Sequence, residues 1–151
     1  MNTFNKGKEC ESFVLNTLIG AGASVSLPFG GQERYDLIVD LKGQLFRAQV
    51  KSAQRPPEKG GQVLRVCTET KCIAHQHTRL ADKTIYNKSK PYTSNEIDVL
   101  IAVDLPNKQA YWIPVEEFEG QRTLSLRTIS TENKVRKNIR WAQTYEIEQV
   151  I

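Results

Sequence analysis

The sequence predicts one α/β domain of α+β character, because three stretches carry regular periodicity in an order that neither an all-helical nor an all-β plan uses. A helical spacing comes first, then two β-rich runs split by a two-residue turn, then a continuous apolar run followed by an alternating one. With 39% hydrophobic and 25% charged residues the composition is globular, and a length of 151 residues suits one core, so residues 1–151 are read as a single domain. The longest apolar run, Val99 to Val103, falls far below the roughly 20 residues that span a bilayer, so no membrane association is expected. The N-terminus lacks the apolar run of a secretory signal and the three cysteines cannot all pair, which points to a reducing cytoplasm.

From Lys6 to Ile19, Val14, Leu15 and Leu18 follow helical spacing, and Gly20 with Gly22 supplies a stop. Glu11 precedes these three by three, four and seven positions, so its carboxylate points toward whatever the helix packs on. A first-turn glutamate favoured by the helix dipole is the plain alternative. After Pro28-Phe29-Gly30-Gly31, the stretch RYDLIVDLKGQLFRAQVKS contains two β-rich runs around Lys42-Gly43, a tight hairpin. With those two residues as the loop, Leu41 faces Gln44, Val39 faces Phe46, Leu37 faces Ala48 and Asp36 faces Gln49. One side then carries Leu37, Val39, Leu41, Phe46, Ala48 and Val50, and the other Asp36, Ile38, Asp40, Leu45, Arg47, Gln49 and Lys51.

Gln54 to Gln62 is a Pro/Gly-rich loop and Val63 to Cys67 a third strand, which together predict an extended β-hairpin with Arg55 and Lys59 at its tip. Glu96 to Asp104 holds a buried-strand pattern and pairs with Gln109 to Ile113 across a Pro106-Asn107 turn. Pro114 to Phe118 reads as a short helical turn, and Asn133 to Glu148 as partly helical, with Lys134, Arg136, Lys137 and Arg140 clustered before Trp141.

An acid, an amide and an amine therefore meet on one side of the hairpin: Asp36, Gln49 and Lys51, with Lys51 about 7 Å further along. Taken alone, the three residues fit a polar sheet face with an incidental Asp/Lys pair as well as they fit a site. Charge adds a second theme. The net charge is +4 and the pI near 9.0. Between Arg65 and Lys90 there are six basic residues (Arg65, Lys71, Arg79, Lys83, Lys88, Lys90) and two acidic ones (Glu69, Asp82), which reproduces the whole excess. This suits a polyanion, and equally a solvated excursion.

These residues, in this order, resemble the PD-(D/E)xK nuclease superfamily, and most nearly its small group I intron-encoded homing endonucleases. The blocks KGKECESFVLNTLIGAG, RYDLIVD, FRAQVKS, YTSNEIDVLIAVD and YWIPVEEF carry the likeness over most of residues 6 to 118, and IRWAQTYEI extends it. The resemblance implies a restriction-endonuclease-like mixed central sheet flanked by helices. It also implies a divalent-metal site at Asp36, Gln49-Val50-Lys51 and Glu11, with Tyr35 where a loosely kept proline would stand. Gln49 departs from the acid usual in the family; Asp36, Gln49 and Lys51 then sum to zero, and Glu11 restores −1.

The implied function is site-specific cleavage of double-stranded DNA with Mg2+, for which Mn2+ can substitute. Asp36, Gln49, Val50 and Glu11 would hold the metal and Lys51 would act on the attacking water. Arg55, Lys59, Arg65, Lys71 and Arg79 are the expected DNA contacts. A domain of roughly 15 Å radius of gyration covers about 11 base pairs, so a longer site and cleavage of both strands call for a homo-oligomer, a dimer or a dimer of dimers. Two other readings stay open: a Holliday-junction resolvase or repair or restriction nuclease on the same core, and a degenerate DNA-binding domain that does not cut. The Cys67, Cys72, His75 and His77 spacing is only loosely finger-like, and no zinc is expected.

Overall fold

The computed structural model describes residues 2–71, 89–129 and 139–151. Its centre is a five-stranded mixed sheet in the order β1-β2-β3-β7-β8, formed by β1 (Ser24–Ser26), β2 (Leu37–Leu41), β3 (Gln44–Ser52), β7 (Val99–Asp104) and β8 (Gln109–Pro114). β4 (Val63–Cys67), β5 (Glu69–Lys71), β6 (Ser89–Pro91) and β9 (Thr123–Arg127) complete the strands of the described residues. The β2–β3 turn is as short as expected, because Lys42 and Gly43 both take positive φ, at 53° and 88°. The Asp40 carboxylate accepts the Gly43 N–H at 2.8 Å. That turn sets the register Leu41↔Gln44, Val39↔Phe46 and Leu37↔Ala48. β3 then pairs in parallel with β7, and β7 antiparallel with β8.

The helix α1 (Thr3–Gly20) starts where the Asn2 side chain accepts the Phe4 and Asn5 N–H groups, and ends at Ala21 before Gly22 at φ 87°. Its buried stripe is Cys10, Val14 and Leu18, spaced by four, which packs on Leu37, Val39, Ala48, Val50, Val99, Ile101 and Val103. The opposite face of β7 and β8 is just as apolar, since every residue of β7 is buried. A second cover is therefore required. It comes from β4 paired antiparallel with β9, whose Leu64, Val66, Leu124 and Leu126 pack with Tyr92, Leu100, Ala102, Ile113 and Phe118.

The mixed central sheet with a helix on it is as expected. Among the described residues α1 is the only α-helix, so the sheet is flanked by a helix on one face and by a two-stranded ribbon on the other. Among the described residues, β3 and β4 meet across the Gln54–Gln62 loop at one antiparallel bridge. β7 takes one edge of Ala48–Ser52, β4 pairs with β9 instead, and Pro56 and Pro57 have no N–H to continue a ladder. Only the Gln54↔Arg65 bridge links the two arms, with N–H to carbonyl distances of 2.9 and 2.7 Å. The loop folds instead into a 3-10 turn, Pro57–Lys59. Pro114 leads into the expected short turn, Val115–Glu117. Of the C-terminal stretch, residues 133–138 lie outside the described residues, and the remainder forms 3-10 turns at Ala142–Tyr145 and Ile147–Gln149 in place of α-helix. No helix among the described residues is long and apolar enough to cross a membrane.

Candidate active site

Asp36 stands one residue before β2, past the last rung of the ladder. Its N–H donates to the Ala48 carbonyl at 2.9 Å, and its Oδ2 accepts the Val50 N–H at 2.9 Å. The carboxylate thus sits one position further along β3 than the simple rung opposite Gln49. Where β2 has ended, β3 exposes the N–H and carbonyl of Val50 on the same edge, since both groups of one strand residue point the same way. The carboxylate takes the first, and the Gln49 Nε2 donates to the second at 3.3 Å. A carboxylate, a backbone carbonyl and an amide therefore gather at one point of the sheet edge.

Burial pushes the Asp36 carboxyl above its ordinary range, while the Val50 N–H and the Lys51 charge pull it back. Glu11 is raised too, by burial first and then by the Asp36 charge, with Lys8 opposing. The helix carboxylate thus lies within electrostatic reach of Asp36, and the pair lacks a full counter-charge. Among the described residues no cluster of three or more His, Cys, Asp or Glu forms, so a cation here would need neutral oxygens as well. The donors fit a hard divalent ion: two carboxylates, the Gln49 amide oxygen and the Val50 carbonyl.

Lys51 shares the face with Gln49, and its Nζ lies 5.6 Å from the centroid of the Tyr92 ring. Tyr92 is 1% exposed, and burial drives its phenol up to about 12. The Arg34 guanidinium also leans on this ring, at 4.6 Å, and is held by Glu96 at 3.1 Å and by the Lys90 carbonyl at 2.6 Å. Two residues before Gln49, Arg47 clamps Asp98 with Nε at 3.0 Å and Nη2 at 2.8 Å, and reaches the Asn95 and Ser94 carbonyls at 2.7 and 3.0 Å. That hydrogen-bonded guanidinium holds the Asp98 carboxyl below its ordinary range. Sequence reading missed Tyr92, Arg34 and Asp98. The available signal was an arginine two residues before each polar member of the hairpin, Arg34 before Asp36 and Arg47 before Gln49.

The expected DNA contacts are scattered. Arg55 turns inward: its Nη2 pairs with Asp104, which is 2% exposed, at 2.7 Å, and its Nη1 reaches the Gly61 carbonyl at 2.6 Å. Lys59 is exposed at the end of its turn, and Arg65 is exposed on β4 with Glu58 at 3.5 Å. The Lys71 side chain and Arg79 lie outside the described residues, as do Cys72, His75 and His77; Cys67 is exposed, with Sγ 3.3 Å from the Glu69 carbonyl. A cleft of about 730 Å³ lined by Arg55, Tyr111, Arg127, Trp141 and Glu146 does not include Glu11, Asp36, Gln49 or Lys51.

A family model described as PD-(D/E)XK endonuclease matches residues 1–148. Among solved structures, the bacterial homing endonuclease I-Ssp6803I matches with a TM-score of 0.72 at 23% sequence identity, over 99% of this chain and 91% of that one. At that identity the likeness is one of fold. No curated protein matches the chain.

Proposed function

Because the chain belongs to the PD-(D/E)XK endonuclease family, we propose that it is a site-specific endonuclease of double-stranded DNA, of the homing type, and that it requires Mg2+ or Mn2+. The observation that carries this reading is the Asp36 carboxylate locked onto the Val50 N–H, beside Gln49 and Lys51 and coupled to Glu11. Held by Asp36, Gln49, Val50 and Glu11, the divalent ion would offset charge on the scissile phosphate and stabilise the departing oxygen. Among the described residues the Asp36 Oδ1 accepts no hydrogen bond, which leaves it for this while Oδ2 stays on the strand. Rotating the Gln49 amide end brings its oxygen to the position from which Nε2 now donates to Val50.

Glu11 supplies the charge that Gln49 lacks, so in this chain the helix carboxylate is required. Lys51 places its ammonium beside the scissile phosphate, orients the attacking water and offsets the negative charge that grows there. The water oxygen bonds to phosphorus as its proton passes to bulk water, the bond to the 3′ oxygen breaks, and that oxygen takes a proton from bulk water and leaves as a hydroxyl. Lys59 and Arg65 are the cations available for phosphates, whereas Arg55 braces its own loop. Cutting both strands takes two copies related by a two-fold axis, as a dimer or a dimer of dimers.

The test is cleavage of a plasmid library of genomic fragments by purified protein, with Mg2+, with Mn2+ and with chelator, alongside four-way junctions. Cleavage at one rare linear site, lost in Asp36→Ala and Lys51→Ala while binding persists, is the expected result. Wild-type rates in either variant would overturn the site assignment, and preferential cutting of bare junctions would favour a resolvase.

A further inference from the structure

Lys51 stands near an acid without pairing to it. Asp36 feels its charge, yet the ion pairs among the described residues do not include Lys51. An ammonium on a flexible four-carbon stem beside a carboxylate would ordinarily close to contact, and that contact would occupy both the metal-binding acid and the catalytic amine. The other attraction acting on it is the Tyr92 ring at 5.6 Å. We propose that Tyr92 is a positioning residue for Lys51: its ring face draws the ammonium away from Asp36 and holds it where the scissile phosphate will lie. The inference rests on the proposed role of Lys51 in cleavage.

The ring is well placed for this task. It is buried, its backbone N–H is fixed to the Thr68 carbonyl at 3.0 Å, and it packs in the core with Leu64, Val66 and Ile97. A rigid wall loses no freedom when the cation settles on it, and partial burial strengthens the attraction of a cation for the ring quadrupole. Arg34 uses the same ring but does not depend on it, since Glu96 and the Lys90 carbonyl hold it from the other side. The chain brings these groups together from positions 34, 51 and 92, which explains why no local motif reveals them.

Tyr92→Phe keeps the ring and removes the hydroxyl, so it should cleave at nearly the wild-type rate. Phenylalanines of increasing ring fluorination at position 92 keep the shape while emptying the ring face of negative charge. Across that series kcat should fall by about 10-fold with KM and DNA affinity unchanged. In the metal-free protein the Lys51 ε-methylene proton resonance, assigned by its loss in Lys51→Ala, should lie upfield through the ring current and return to its ordinary position in Tyr92→Leu. An ordinary shift in the wild type, or equal kcat across the fluorinated series, would overturn the proposal. The resonance is read without DNA, so it decides the placement of Lys51 even if the protein proves not to cut, a result that would instead refute the endonuclease reading.

Discussion

Gln49→Glu is the most informative single change, because it converts the neutral amide of the proposed metal site to an acid and takes the net charge of that site from −1 to −2 at one point. The new carboxylate would face Asp36, whose Oδ2 touches the Val50 N–H next door, and Glu11, which already feels Asp36. At about 6 Å and an effective dielectric of about 20, two such charges repel by about 3 kcal/mol; the half-exposed position and salt reduce this to about 1–2 kcal/mol. For a chain of this size that corresponds to a fall in Tm of about 2–8 °C. Scanning calorimetry in chelator at mildly alkaline pH and low salt should show this drop, and it should shrink as salt is raised. Millimolar Mg2+ should then stabilise the variant more than the wild type, because a third charged oxygen binds the ion more tightly. A Gln49→Glu protein that melts at or above the wild type in chelator, and responds to Mg2+ no more strongly, would show that the acids do not converge.

Other perturbations probe the surroundings. Asp36 and Glu11 have raised carboxyls, so the stability tied to their neutral forms is present below about pH 4 and lost as pH rises through their folded values. Glu11→Gln should therefore raise Tm at neutral pH in chelator and weaken the response to Mg2+, which thermal melts across pH will show. Asp98 is lowered, and the sign reverses: its contribution is full above about pH 4 and disappears as pH falls through its folded value. Asp98→Asn should destabilise the protein at neutral pH, and the difference from wild type in urea titrations should vanish in acid. Leu18→Ala, under the sheet and fully buried, should cost about 2–5 kcal/mol without altering the cleavage position.

Much of the candidate site's local geometry was legible because it is set by neighbouring residues. The Lys42-Gly43 turn and the alternation of two short strands are enough to place Gln49 and Lys51 on one face, and the helix period is enough to aim Glu11. The shift of Asp36 toward Val50 was not legible, because it depends on β2 ending one residue early. The pairing of Val63–Cys67 with β9 was not legible, since pattern alone does not tell which edge of a strand is free. Thr123–Arg127 carries a visible alternation, with Leu124 and Leu126 inward, but its partner lies far away in the chain.

By itself, then, the amino-acid order determined the elements whose hydrogen bonds and apolar periods close within a few residues: α1, the β2–β3 turn and its register, and the β7–β8 pair. Tertiary structure decided everything that depends on competition between distant partners, namely the parallel joining of β3 to β7, the ribbon that covers the second apolar face, the pairing of Arg55 with the buried Asp104, and the ring that Lys51 shares with Arg34. A turn or a helical repeat is settled by sterics acting between neighbours, whereas the choice among remote edges and faces is settled only when the whole core is assembled and each polar group finds its partner.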